Sequence, residues 1–568
     1  MNEYFRPCIA ISGLKIDRWE QTVLKDLKST GFIIIEAEEV NDKEGAVLLT
    51  LGPSLVSKLV VSNGICTFQD DFLKYTYEEK VAIVRFSLDF LLMDSKYSET
   101  DIFIIHDEEE KNKIAKSDKG TLFLQDSVLK AINTYYGASV ALYFSWASYY
   151  NLNLLFPAIF GIVAFTSHDA SISSFVPSVL LSYVEPLFCI IICLWSTILT
   201  EFWKGRNASL SYLWSLGEVG ELTQAKNLIK DTLSLRGNKE INRLFRFLVT
   251  VPIMIFSLLI PVRIMLFYLY LQESTQILFG EKNYLQYILV ILYCCIINLS
   301  YTVFIDFIAT RLNKYEAHSS QENADYFLVV KQFLFEFVNR FSLLFYTAIY
   351  LQDMKQLRYQ ILYIFISGFV FSISGEIFYL VFRKSAISCG PNVLKNSPIL
   401  KADMIMAKFR VDRVMLDQIM QYGLIVMFSI GLPILPVLAL IGNMIKSHID
   451  LVTIGSYRRP LIDVRSSLGP WLFCLELTSF CGVATTCFLI CEVSDYVTDI
   501  STDAYDGYFA SETGRFVTMV VLEHVFIGLK IALMCLIEDV PRWVQVLKFT
   551  YLYHFVNTSL TQSAHSCT

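Results

Sequence analysis

Ten apolar stretches follow one another along the chain, at 141–166, 179–203, 247–272, 285–308, 325–352, 360–382, 414–432, 433–453, 469–494 and 515–538. Each has about the twenty residues that a helix needs to cross roughly 30 Å of hydrocarbon. Before them the pattern changes. Short apolar runs of strand length, Cys8 to Ile11, Phe32 to Glu36, Ala46 to Leu51 and Asp101 to Ile105, alternate with helical patterns such as Trp19 to Lys28 and Glu78 to Met93. A charged helical stretch, Glu108 to Lys119, separates the two regions. The pattern predicts an all-α polytopic membrane protein with ten transmembrane helices, preceded by a small α+β, ferredoxin-like cytosolic domain. The expected domains are residues 1–125 for that layer, 126–545 for the membrane part and 546–568 for a short cytosolic tail.

The polar residues inside the apolar stretches narrow the function. Glu376 lies in the sixth, Asp417 in the seventh, and Lys446 and Asp450 in the eighth. A charge in hydrocarbon costs on the order of 2.5 to 3.5 kcal/mol or more, so each should face protein or water. Such residues point to the handling of ions or lipid headgroups. Lys331, Glu336 and Arg340 lie in or near the fifth stretch, and Arg263 follows Pro261 by two residues in the third. Lys331 and Arg340 are nine residues apart, which at about 100° each puts them on opposite faces. Arg340 follows Glu336 by one turn. It either closes an intrahelical pair or offers its guanidinium to chloride or a lipid phosphate.

Composition agrees with a membrane location. The 568 residues are 54% hydrophobic and 18% charged, with a mean hydropathy of +0.47, whereas soluble proteins carry about 25% charged residues. The net charge of −7 gives no hint of nucleic acid. Local charge is more telling. Seven Lys/Arg fall in residues 204–245 and seven in 383–413, while 167–178 has none and 496–514 has four acids and no base. The first two loops are therefore expected in the cytosol and the latter two outside or in a lumen, with both termini cytosolic. The first fifteen residues lack the pattern of a cleavable signal peptide. The thirteen cysteines show no metal-type spacing and read as reduced packing residues, and no outer loop holds a cysteine or a glycosylation sequon. With no phosphate-cradling glycine loop, paired metal histidines or nucleophile elbow, an enzyme is not expected and no catalytic residue is assigned.

Several ordered motifs carry a family resemblance. They are Tyr136-Gly137 with Ala141 to Phe144; Glu201-Phe202-Trp203-Lys204; Phe333 to Asn339; Gln421-Tyr422-Gly423 with Pro433 and Pro436; Tyr457-Arg458-Arg459-Pro460; and Glu523-His524-Val525 followed by Asp539-Val540-Pro541. In this order the chain resembles the anoctamins, ten-span dimers that act as calcium-activated chloride channels or phospholipid scramblases. The resemblance implies a homodimer in an integral membrane setting, plasma membrane or endoplasmic reticulum. Membrane lipids and chloride or other small anions would move along a groove lined by spans three to seven. It also implies a calcium site on spans six to eight.

Carried onto this chain, the calcium-site positions are Ser372 and Glu376, then Val414 and Asp417, then Asn443, Lys446 and Asp450. Val414 and Lys446 stand where the family pattern has acids. The remaining carboxylates, with Lys446 among them, sum to a formal −2. A hard divalent cation needs six to eight oxygens, so calcium binding should fall steeply. Three readings of Lys446 stay open: an internal substitute for calcium, a side chain that snorkels to the cytosolic surface, or a weakened but working calcium site. A second family calcium site falls on Glu201 and Asp539, which also fit surface residues near the interface. Arg263, Lys331, Glu336 and Arg340 are the groove candidates. The Phe333-Leu334-Phe335-Glu336 version of span five leans toward scrambling. A non-conducting tether or scaffold acting through the N-terminal domain is the alternative.

Overall fold

The computed structural model describes residues 9–15, 32–41, 44–51 and 101–104, then 106–117, 124–167, 184–215, 238–279, 284–316, 318, 321–389, 406–458, 469–493, 511–547 and 549–550. The four strands β1 (Ile9–Lys15), β2 (Phe32–Asn41), β3 (Glu44–Leu51) and β4 (Asp101–Ile104) form one sheet in the order β2-β3-β1-β4. All three pairings are antiparallel, with Ile9 opposite both Leu49 and Ile104. Strands β1 and β2 run past the apolar runs that announce them, because ladder pairing with β3 continues through Leu14 and Lys15 on β1 and through Glu38, Glu39 and Asn41 on β2. The helices expected at Trp19 to Lys28 and Glu78 to Met93 lie outside the described residues.

After α1 (Glu108–Ser117) and α2 (Asp126–Tyr136) come the long helices. They are α3 (Ala138–Ser167), α4 (Val184–Ser215), α5 (Asn238–Phe279) and α6 (Tyr284–Val303, continued by a π turn, Phe304–Ala309, and Thr310–Glu316). Then follow α7 (Gln321–Tyr346, closing in a π turn, Thr347–Leu351), α8 (Met354–Cys389), α9 (Val411–Phe428) and α10 (Leu435–Thr453). Last are α11 (Gly469–Phe488, with a π turn at Leu489–Val493) and α12 (Glu512–Leu536), whose first turn is capped by the Ser511 hydroxyl accepting from Gly514 N. Among the described residues, eight of these helices are long and apolar enough to cross a membrane. The predicted segments 325–352 and 414–432 fall on α7 and α9, which do not qualify. The charges that disqualify them, Lys331, Glu336 and Arg340 on α7 and Asp412, Arg413 and Asp417 on α9, include those that build the site below.

Helix α9 is the hub, with Met415, Leu416, Ile419 and nearly all of Tyr422 to Phe428 buried. Close approach of its neighbours depends on small residues. A Cβ at Gly482 of α11 would collide with the Val426 side chain, and one at Gly161 of α3 with the Pro433 carbonyl in the turn before α10. Elsewhere the apolar side chains point outward. Phe256 and Phe267 of α5 and Phe378 and Phe382 of α8 are all more than 60% exposed. In water that would be a liability, and in lipid it is the expected outer surface. The nine cysteines whose side chains are described are all free thiols.

Candidate functional site

Side chains four apart on a helix sit one above the other, and two such pairs organise the interior. On α10, Lys446 Nζ donates to Asp450 Oδ1 at 2.6 Å and lies 3.6 Å from Glu376 Oε1 of α8. Asp450 is fully buried, and its second oxygen accepts from the Tyr143 hydroxyl of α3 at 2.5 Å. The second oxygen of Glu376 accepts from the Tyr457 hydroxyl at 2.6 Å. Burial and this carboxylate push the Tyr457 phenol above its ordinary pKa, which keeps it a donor.

On α7, Arg340 Nε donates to Glu336 Oε1 at 2.8 Å and Nη2 to Asp417 Oδ1 of α9 at 3.2 Å. Asn339 donates to the other Glu336 oxygen at 2.9 Å and accepts from Ser300 of α6 at 3.0 Å. The two groups meet on one cavity of about 240 Å³, lined among others by Arg340, Ser372, Glu376, Val414, Asp417 and Lys446. Asn443 lies on a smaller adjoining cavity of about 70 Å³ that shares Ser372, Asp417 and Lys446. Asp450 stands directly behind Lys446. The residues singled out on spans six, seven and eight are thus gathered in one interior space.

Alternating signs explain how this cluster survives burial. An ion taken out of water loses several kcal/mol of hydration, and only close pairing with further hydrogen bonds offsets the loss. Each carboxylate here has a cation, and Asp450, Glu376 and Glu336 each have a neutral donor as well. The same engagement bears on calcium. The oxygens of Asp450, Glu376 and Asp417 are directed at Lys446 and Arg340, rather than converging on a shared point with six to eight donors. As arranged, the donor set does not fit a calcium ion.

A second cluster repeats the device. Glu201, 1% exposed on α4, lies 3.0 Å from Lys204, which also meets Glu476 of α11 at 2.5 Å and Asp539 at 3.5 Å. The structure therefore brings Glu201 and Asp539 together and places a lysine between them. Glu476 completes the cluster; it lies inside the ninth apolar stretch between Leu475 and Leu477, a signal that could have marked it from sequence. Lys204→Gln should lower the unfolding free energy by on the order of 3 kcal/mol, because three carboxylates lose their shared cation. Millimolar calcium should restore part of that loss. Thermal unfolding with and without a chelator checks both effects, and an unchanged melting temperature in the variant would contradict them.

The groove candidates separate. Arg340 pairs with Glu336, as its spacing suggests, and its guanidinium also reaches Asp417 on the cavity wall. Lys331 is 8% exposed and tied to Glu316 at 2.6 Å and Asn313 at 3.2 Å, with His318 also on Glu316 at 2.8 Å. Arg263 is exposed on α5 and lines neither cavity. Sequence reasoning missed Tyr143 and Tyr457, the two hydroxyls that hold the carboxylates. Tyr143 sits in an apolar stretch with no polar neighbour to mark it.

A bundle of long apolar helices with an ion-paired polar interior defines a polytopic integral membrane protein. The anoctamin family model, described as calcium-activated chloride channel, matches residues 132–548, and the chain belongs to that family. It is similar to Anoctamin-10 of Mus musculus, 24% identical over 482 residues that cover 78% of this chain and 69% of the relative. Anoctamin-10 of Homo sapiens is likewise 24% identical, over 485 residues. Anoctamin-8 of Mus musculus is 27% identical over 274 residues, 45% of this chain and 24% of the relative.

Proposed function

We propose that the protein is a ten-span homodimeric transporter of the passive kind, moving phospholipid headgroups, small anions such as chloride, or both along a groove beside spans three to seven. Lys446 acts in it as a fixed replacement for activating calcium. The observation that carries this reading is the Lys446 ammonium, 2.6 Å from Asp450 and 3.6 Å from Glu376, where an activating cation would bridge spans eight and six. A covalently attached charge needs no ligand to hold the helices together, so activity should not wait on calcium. The ten-span count rests on α7 and α9 crossing inside a shell of apolar helices, where their charges meet partners rather than lipid. The strand order β4-β1-β3-β2 supports a ferredoxin-like layer over residues 1–125, with residues 126–545 as the membrane part and both termini in the cytosol.

Reconstitution of the purified protein tests this, with lipid flipping and chloride flux followed in parallel. Activity in at least one assay is expected, and activity in neither would favour a tether or scaffold. Arg340→Gln removes a cation from the cavity wall and leaves Glu336 and Asp417 without it. It should change anion selectivity or slow flipping severalfold, whereas unchanged flux would reduce Arg340 to a structural pin.

A further inference from the structure

Three stretches far apart in the chain close on the turn that follows α10. From α8, the Tyr379 hydroxyl donates to the Ser456 carbonyl at 3.0 Å, and its ring stacks on that of Tyr457 with centroids 4.4 Å apart. From the segment before α9, the Ala407 carbonyl accepts from Arg458 N at 2.8 Å. The third stretch leaves the sheet. His106, two residues beyond the end of β4, places Nε2 2.7 Å from the Tyr457 carbonyl oxygen. Tyr457 is extended, past the last helical turn, so its carbonyl needs a donor from elsewhere. A carbonyl only accepts, so His106 Nε2 carries a proton and donates. His106 is itself held in place. It is buried, and its Nδ1 lies 3.1 Å from the Tyr135 hydroxyl of α2, which also accepts from Asp107 N at 2.8 Å. Lys111 of α1 lies so close to Gly455 that a Cβ there would come within 2.9 Å of the lysine stem.

We infer that this contact is a latch through which the sheet-bearing N-terminal segment sets the interior ion-pair cluster, with His106 as the positioning residue and Tyr457 as the part it holds. Tyr457 is the link because both its ends are engaged. His106 fixes the carbonyl, and the hydroxyl donates to one Glu376 oxygen at 2.6 Å. The other Glu376 oxygen faces Lys446 at 3.6 Å, the longest pairing in that group. Tyr457, Glu376 and Lys446 all line the larger cavity, so the latch bears on its wall. Without the His106 bond the Tyr457 backbone can shift and carry its hydroxyl off Glu376, which then loses its neutral donor. A movement of the cytosolic segment is thereby passed to the cation cluster through single hydrogen bonds between discrete partners. Nothing in the latch depends on what the protein transports.

Amide hydrogen exchange of the full-length protein in lipid nanodiscs tests the coupling, read on residues 372–380 of α8. His106→Phe keeps a ring and removes the donor to Tyr457. It should speed exchange around Glu376 about twofold to tenfold, as expected for one lost neutral hydrogen bond. Tyr457→Phe keeps the latch bond and cuts the link to Glu376, so it should speed exchange there by a similar factor. The double variant should exchange no faster at α8 than Tyr457→Phe alone, because the latch acts only through that hydroxyl. His106→Gln, whose amide can still donate to the carbonyl, should restore most of the protection. A merely structural histidine would loosen α2 and residues 454–458 and leave 372–380 as in the wild type. That result, or effects that multiply in the double variant, overturns the inference. Should His106→Phe not fold, Tyr135→Phe takes its place: it removes only the hydroxyl beside Nδ1, a smaller rise at 372–380 is expected, and no rise there overturns the latch.

Discussion

Replacing Lys446 with glutamate is expected to make the protein respond to calcium. The substitution removes the only cation on α10 that faces the cluster and adds a fourth carboxylate beside Glu376, Asp417 and Asp450. Their formal charge then moves from −2 to −4. Without a divalent ion, Asp450 loses its 2.6 Å partner and faces a like charge one helical turn away, so the variant should unfold at a markedly lower temperature. With calcium, freed carboxylate oxygens from α8 and α10, joined by the Asn443 side chain, can supply much of the oxygen shell that a hard cation takes. At a calcium concentration a hundredfold above the dissociation constant, binding adds about 2.7 kcal/mol of stability. Melting curves in calcium and in chelator should therefore separate for Lys446→Glu and coincide for the wild type. Coincident curves for the variant would show that the cluster cannot be reopened to a metal.

The second large effect concerns the buried pair itself. Asp450→Asn leaves Lys446 with only the 3.6 Å contact to Glu376, and Lys446→Met leaves Asp450 charged in a fully buried position with one tyrosine for company. Each should cost about 3 to 5 kcal/mol, the range for removing one partner of a buried ion pair. The double variant should cost far less than the sum, because an asparagine still accepts from Tyr143 and no uncompensated charge remains. Denaturant unfolding of the four proteins gives the coupling directly. Additive costs would mean that Lys446 snorkels to the surface and contributes nothing at Asp450.

Much of this arrangement is legible from sequence because hydrocarbon makes ionisable residues expensive. Glu376, Asp417, Lys446 and Asp450 stand out against their apolar neighbours, and the spacing of Lys446 and Asp450 already puts them on one face of a helix. The four strands are readable from short apolar runs for the same reason of contrast. What could not be read is who meets whom across helices. Glu336 is the partner of Arg340 that spacing suggests, while Asp417 lies 77 residues away and is found only through packing. Tyr143 and Tyr457 are invisible for a different reason. A tyrosine in an apolar helix usually contributes its ring, and only the position of Asp450 or Glu376 turns its hydroxyl into a partner. At α7 and α9 the apolar pattern predicts spans, while the charges that build the interior site keep both helices from qualifying as membrane spans by composition alone.

The account stands on a lysine doing in place what a bound ion would do in a relative. Its most direct test is a calcium titration of lipid flipping and chloride flux by the purified wild-type protein in liposomes. Full activity in the presence of chelator, unchanged as calcium rises, is the predicted result. Activity that appears only as calcium reaches the micromolar range would contradict it.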